Sequence, residues 1–337
     1  VQDRKLTNFE KEIKQQPIVL AKILEKYLKN GQVSGFPKIS GFERITLIAS
    51  GTSKNAGDFG AYFFEQIAHI PAKVEYASEI IAKDVIFDAK DLVIFISQSG
   101  KSADVVASLE KIKKTEAKVL GIVNKPDSPV GEGCDFKIDM EAGEELAIPA
   151  TKSFSSTVVE LLLLAAYFAQ EKGIDISSLI NDLIDLPEAA NQILESDLPA
   201  KMAKTFDAAV FLARGLCFYA MNEATLKLKE AALVNTSSYP LGEFVHGHMV
   251  ALDPSKSIFA VSLTFDEIHA TNLRLISRIE QNYNPHIDIL TEEAFSLKSK
   301  FVTPLLLVLL FQAIASEIST QKGLNPDLPI GLKKVTE

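Results

Sequence analysis

With 337 residues, 47% of them apolar, the chain is long enough for one large or two medium domains with a sizeable core. Its formal charge of −9 argues against nucleic acid or an anionic membrane surface as the main partner. Cys134 and Cys217 lie far apart and read as thiols of a reducing compartment, and five histidines without CxxC or HExxH spacing speak against structural zinc. Residues 1–16 are charged and polar, unlike a signal segment, and the most apolar run, 302–314, is about 13 residues, short for a bilayer. The expectation is a cytoplasmic chain with no nucleic-acid and no membrane partner.

Apolar residues Leu6, Phe9, Ile13, Ile18, Leu20, Leu24 and Leu28 recur at helical spacing, with a break expected at Pro17. Three glycines and a proline make 31–41 a linker. Strands are then expected at 44–49, 72–76, 92–96, 118–123 and 136–139, and helices at about 56–67, 78–82 and 102–114. The apolar runs at 92–96 and 118–123 suit parallel strands buried on both faces. A long, unusually apolar helix covers 153–169. A polar stretch, 171–200, reads as two or three short helices around Pro187 and Pro199. The pattern restarts with strands at 208–212, 257–263 and 286–290, helices at 218–234 and 266–281, and a second apolar closing helix at 301–320. The two halves share a plan, as an internal duplication would. The expected class is α/β, with open parallel sheets in three αβα layers. The expected division is an N-terminal helical segment at 1–40, α/β domains at 41–195 and 196–322, and a C-terminal tail at 323–337.

Two strand ends in the first half carry hydroxyl-rich turns: Gly51-Thr52-Ser53, and Ser97-Gln98-Ser99-Gly100 with Ser102. Both belong at the carboxyl edge of a parallel sheet, where ligands bind and where amides of a helix N-terminus can hold a phosphate. The competing reading is an ordinary capped turn. Neither GxGxxG after the first strand nor GxxxxGK[ST] is present, which disfavours a nucleotide. A third hydroxyl cluster, around Thr151-Lys152-Ser153, opens the long apolar helix and also reads as either a cap or a site. In the second half Glu223, Lys227 and Glu230 share one helix face. They form either a solvated salt-bridged surface or a carboxylate base with a cation beside it, as enolisation of a sugar phosphate needs. His246, flanked by Gly242 and Gly247, belongs in an accessible loop suited to sugar ring opening, or is a plain surface histidine.

Taken together these motifs resemble the SIS (sugar isomerase) superfamily. The resemblance is greatest to the isomerase half of glutamine–fructose-6-phosphate aminotransferases and their stand-alone relatives, which include isomerase-type glucosamine-6-phosphate deaminases and fructosamine-phosphate deglycases. Ser50-Gly51-Thr52-Ser53, Ser97-Gln98-Ser99-Gly100, residues 150–154, Arg214-Gly215, residues 226–230, Gly242-Glu243 with His246-Gly247, and the tail 332–337 carry it, in order, over nearly the whole chain. The resemblance implies two SIS domains and a homodimer. It implies sugar-phosphate binding by Thr52, Ser97, Gln98, Ser99 and Ser102, to which the residues themselves add Gly51, Ser53, Thr151 and Lys152 as binding candidates. By the same resemblance Glu230 moves a proton between C2 and C1 with Lys227 beside it. His246 opens the ring from the neighbouring subunit, Lys333 comes from the tail, and no metal or organic cofactor is needed. Two departures stand out: Ser50 where the family has cysteine, and Lys101 where it has an acid. The sequence begins directly at the sugar module. The expectation is therefore isomerising deamination of glucosamine 6-phosphate to fructose 6-phosphate and ammonia, with a deglycase, an aldose–ketose isomerase or a non-catalytic sugar-phosphate sensor as alternatives.

Overall fold

The structure, a computed structural model, describes residues 5–203, 208–253, 257–283 and 287–334. His286 and the tail residues Val335, Thr336 and Glu337, which the sequence analysis used, lie outside the described residues. The described chain divides into two compact units. One comprises Gln15–Leu146, Ala150–Ile184 and Gly331–Glu337; the other comprises Val1–Lys14, Ala147–Pro149 and Asp185–Ile330.

Helix α1 (Asn8–Tyr27) runs straight through Pro17. The expected break is absent, and the ring costs the helix one N–H donor without ending it. The expected linker begins as a small hairpin, β1 (Leu28–Lys29) with β2 (Gln32–Val33). Asn30 and Gly31, both with positive φ (52° and 74°), close it as an Asn-Gly turn whose signal was overlooked.

The first sheet is built from β3 (Arg44–Ala49), β4 (Ala72–Tyr76), β5 (Asp91–Ser97), β6 (Lys118–Val123) and β7 (Phe136–Asp139). All pair in parallel in the order β4-β3-β5-β6-β7. Every residue of β5 is buried, as its unbroken apolar run requires. The helices are α2 (Gly51–Gln66), α3 (Ala77–Ala82), α4 (Ala103–Ile112), α5 (Pro129–Gly133) and α6 (Lys152–Glu171). Helix α2 packs on α6, while α3 and α5 pack on α4. The α2–α6 approach is close because position 60 is glycine: a Cβ there would stand 2.8 Å from Leu161 Cδ1. Phe59 meets Phe154 edge-on in the same seam, with ring centroids 5.9 Å apart. At the sheet's amino edge, Arg44 clamps Asp91 through two bonds of 2.9 Å and reaches Asp88 at 3.0 Å.

Helices α7 (Ser177–Glu195) and α8 (Leu198–Met202) follow. Where several short helices were expected, α7 is one 19-residue helix containing Pro187. The second sheet comprises β8 (Ala208–Ala213), β9 (Asn235–Pro240), β10 (Ser257–Val261) and β11 (Ile287–Leu290), all parallel, in the order β11-β10-β8-β9. Strand β9 was not expected; its Asn-Thr-Ser-Ser-Tyr-Pro sequence has no apolar alternation and pairs through its backbone along β8. Its helices are α9 (Gly215–Ala232), α10 (Leu241–Phe244), α11 (His269–Tyr283) and α12 (Thr303–Gln321). Helix α12 packs on α9, and Phe311 of α12 stands edge-on to Phe211 of β8 with centroids 5.1 Å apart.

Helices α6 and α12 are long and apolar enough to cross a membrane by length and composition. Their apolar windows are 94% and 83% buried inside the protein, so they serve as core helices here. The apolar run at 302–314 lies in the closing helix expected at 301–320, and it is the helix, not the run alone, that reaches membrane-spanning length.

Candidate active site

In a sheet ordered β4-β3-β5-β6-β7 the connections leave in opposite directions from β3 and β5. The crevice at their carboxyl ends is the switch point where ligands of open α/β sheets bind. The two hydroxyl-rich turns leave these two strands. The register pairs Ile48 with Phe95, so Ser50 and Ser97 are near neighbours across the edge.

Helix α2 begins at Gly51, five residues earlier than expected, so Thr52 and Ser53 sit in its first turn rather than in a loop. Its N-cap, Ser50, makes no side-chain cap bond. Lys54, which might have served an anion, is held by Asp58 at 2.8 Å and lies 4.9 Å over the Tyr76 ring.

After β5, Ser97 Oγ accepts the Gly100 N–H at 3.0 Å and Ser99 Oγ accepts the Lys101 N–H at 3.2 Å. A hydroxyl that accepts a bond keeps its own hydrogen, so both serines can still donate outward. Gly100 has φ +61°, and a Cβ there would stand 1.8 Å from Ser128 Oγ. Ser128 in turn caps α5 by accepting the Gly131 N–H at 3.3 Å, and the Val130 N–H donates to the Gly100 carbonyl at 3.1 Å. Ser128 therefore braces the loop; thirty residues separate it from Ser97, and no local sequence pattern links the two. Ser102 is the N-cap of α4 and also makes no side-chain cap bond. The first-turn amides of α4 have no carbonyl partners within the helix and face the carboxyl edge of the sheet. Gln98, Ser99 and Ser102 are half-buried, and Lys101 is exposed.

The start of α6 is arranged differently. Glu145, with a fully buried side chain, accepts the Thr151 N–H at 2.9 Å, the Ser153 N–H at 3.1 Å and the Ser153 hydroxyl at 2.7 Å. Its other donor is Lys334 Nζ, at 3.2 Å. Burial pushes the Glu145 pKa up, but Lys334, the two amides and the Ser153 hydroxyl outweigh it and hold it below the usual glutamate value. An internal carboxylate thus already occupies this helix N-terminus. Lys152 is buried and donates to Gln15 Oε1 at 2.7 Å, and Thr151 Oγ1 is buried with no hydrogen-bond partner. Of the tail lysines, Lys333 is exposed and Lys334 is the one directed onto the buried carboxylate. Glu145 was not singled out from sequence, because two adjacent acids in a loop carry no signal.

In the other unit, α9 carries Glu223, Lys227 and Glu230. Lys227 is fully buried, hydrogen-bonded to Glu230 and 3.4 Å from Glu223. The Glu223 side chain is also fully buried, while that of Glu230 keeps 18% of its surface. This face is therefore no solvated salt-bridge surface. Burial pulls the Lys227 pKa down, but Glu223 and then Glu230 more than offset it and hold the ammonium above its ordinary value. The arrangement is a buried cation that fixes one carboxylate inside and aligns a second at the surface of the helix. His246 lies in the turn after α10 and is exposed. Gly242, in α10, lies against Arg214: a Cβ there would stand 2.5 Å from the guanidinium Nη2. The expected residues Gly51, Thr52, Ser53, Ser97, Gln98, Ser99, Ser102, Thr151, Lys152 and Lys333 fall in one unit, and Lys227, Glu230 and His246 in the other.

Residues 38–169 match the SIS domain family. The isomerizing glutamine–fructose-6-phosphate aminotransferases of Clostridium tetani and Gloeobacter violaceus are each 31% identical over 96% of the chain. The chain spans only 58% and 57% of the length of these relatives. Among solved structures, the C-terminal domain of glucosamine-fructose-6-phosphate aminotransferase from Francisella tularensis superposes with a TM-score of 0.88 at 25% identity, covering 98% of this chain and 99% of that one. A glucosamine-6-phosphate deaminase from Thermotoga maritima shares the fold, with a TM-score of 0.80 at 23% identity and the same coverage.

Proposed function

We propose that this chain, a member of the SIS family through residues 38–169, isomerises a phosphorylated amino sugar, taking glucosamine 6-phosphate to fructose 6-phosphate and ammonia. The observation that carries the reading is the buried Glu223–Lys227–Glu230 clamp, which holds the Glu230 carboxylate at the surface of α9. Isomerisation is also the chemistry named for the 31% identical relatives.

In the proposed reaction the phosphate lies at the start of α4, held by first-turn amides and by the hydroxyls of Ser97, Ser99 and Ser102, with Thr52 and Ser53 beside it. His246 passes a proton between ring and anomeric oxygens to open the sugar, acting from the neighbouring subunit of a homodimer. Glu230 removes the C2 proton, which the C1 aldehyde acidifies, and returns it to C1. The C2 amine becomes an imine; water adds, and ammonia leaves from the carbon that becomes the ketone. The same proton transfer serves a plain aldose–ketose isomerisation, where no nitrogen is lost. The tail supplies a cation near the sugar. The sequence motif assigns this role to Lys333, since Lys334 is held by Glu145.

The deciding experiment incubates the purified chain with millimolar glucosamine 6-phosphate and reads both ammonia and fructose 6-phosphate. Release of the two in equal amounts is expected. Glu230→Gln should lower turnover by about 10²–10⁴-fold while still binding the sugar phosphate. Folded protein that binds the substrate and turns over neither it nor an isomeric hexose phosphate would end this reading.

A further inference from the structure

Glu145 has no part in the reaction as drawn, yet it is the most fully satisfied buried carboxylate near the tail. Oε1 accepts the amides of Thr151 and Ser153, and Oε2 accepts the Ser153 hydroxyl and the Lys334 ammonium. A carboxylate has about four lone-pair directions, so each oxygen is saturated. Three of the four donors belong to the start of α6, only six to eight residues along the chain. The fourth arrives from 189 residues away. The three local donors fix the position of the carboxylate, and Lys334 supplies the charge that does most to keep it ionised. Glu145 is thus a locally held seat, and Lys334 is the group that pairs with it from the tail.

We propose that Glu145 is a positioning residue that seats the C-terminal tail on the start of α6 by holding Lys334, and so fixes the neighbouring Lys333 for work at the sugar. The inference rests on the sugar-phosphate reading for its catalytic consequence, but the seat itself stands on the geometry alone. A buried carboxylate and a half-buried ammonium at hydrogen-bond distance, joined across most of the chain, tether the tail far more strongly than a surface pair does. With the seat discharged, the tail keeps its sequence but loses this long-range ion pair, and a displacement of about 1 Å at a reacting group costs up to about 100-fold in rate.

Glu145→Gln is the informative change. Its carbonyl oxygen can still accept the two amides that start α6, and the Ser153 hydroxyl can turn to accept from the new amide. The amide cannot hold an ammonium. Two readouts are taken on the full chain. Hydrogen exchange over residues 331–334, measured without substrate, should rise about 10-fold or more over wild type, while exchange across α6 stays the same. Steady-state kinetics with glucosamine 6-phosphate should show kcat down by about 10–100-fold, with KM within about threefold because the α4 cradle is untouched. Lys334→Met should reproduce both effects, Lys334→Arg should restore much of each, and the Glu145→Gln/Lys334→Met double variant should be no worse than either single change. If Glu145→Gln fails to fold, Lys334→Met and Lys334→Arg carry the same two readouts with α6 intact. Unchanged tail exchange in Glu145→Gln, or in Lys334→Met where that variant stands in, overturns the seat whatever the enzyme does. A wild-type protein that turns over no sugar phosphate defeats the functional reading and leaves the exchange result to judge the seat.

Discussion

Helices α4 and α6 both begin in a cluster of hydroxyls beside a turn, and from sequence both invite the same anion. In the structure they have opposite fates. At α4 the loop serines accept bonds from the loop's own amides, the N-cap side chain makes no cap bond, and the first-turn amides have no carbonyl partner within the helix. At α6 the buried carboxylate of Glu145 takes the Thr151 and Ser153 amides and the Ser153 hydroxyl. The lesson is that a helix N-terminus rich in serine and threonine is a ligand site only when no internal anion has reached it first. An internal carboxylate has no translational entropy to lose on arrival, which favours it over a free anion at the same amides.

The largest expected effect tests the open end. Gly100→Ala must place a Cβ where Ser128 Oγ stands and must hold φ +61° without glycine. It should weaken binding of a hexose phosphate by about 100-fold, read by calorimetry, and lower the melting temperature. Adding Ser128→Gly relieves the collision but not the backbone strain and should restore only part of the affinity. Unimpaired binding in Gly100→Ala would break the comparison, since the cradle would not then depend on its loop geometry.

The next effect belongs to α6. Glu160, in the same helix as Ser153, is fully buried and neither of its oxygens has a hydrogen-bond partner. Burial raises its pKa well above the usual value; Lys26 opposes this, and Asp139 and Glu141 add to it. A carboxyl whose folded pKa is raised loses stability as pH climbs above the unfolded value of about 4.3, because only the unfolded chain ionises freely. Glu160→Leu should therefore stabilise the protein by about 1–3 kcal/mol at neutral pH, with a gain that shrinks toward pH 4, measured by urea unfolding across pH. Glu145, whose pKa is lowered, behaves in the opposite way: its contribution is present above the unfolded value and is lost as pH falls through the folded one.

The smallest effect is the sharpest on α6. Thr151→Val replaces a buried, unpartnered hydroxyl with a group of the same shape. Stability should stay within about 1 kcal/mol of wild type or rise slightly, with hexose-phosphate affinity unchanged. A clear loss of affinity would show that this hydroxyl meets the ligand, and that the sealed start of α6 still takes part in binding.

Much of this molecule could be read before its structure. Strands β3, β4, β6 and β7 fall on the expected residues, and β5 extends the expected run by one residue at each end; for β3, β5 and β6 the reason is that buried parallel strands are dense apolar runs with sharp ends. The Glu223–Lys227–Glu230 face followed from helical spacing alone. Other features were illegible for physical reasons. Strand β9 is polar and is held by backbone pairing, which side-chain patterning does not report. Pro17 and Pro187 sit inside helices because tertiary packing outweighs one lost hydrogen bond.

By itself, then, the sequence determined the α/β class, the two parallel sheets and the chemistry available at each strand end, since these follow from local periodicity and residue type. Only the tertiary structure decided which of those groups are still free to act. Whether a lysine, a loop or a helix start is open depends on partners such as Gln15 and Ser128, brought from elsewhere in the chain, and Glu145, which lies close in sequence but is turned onto the start of α6 only by the fold.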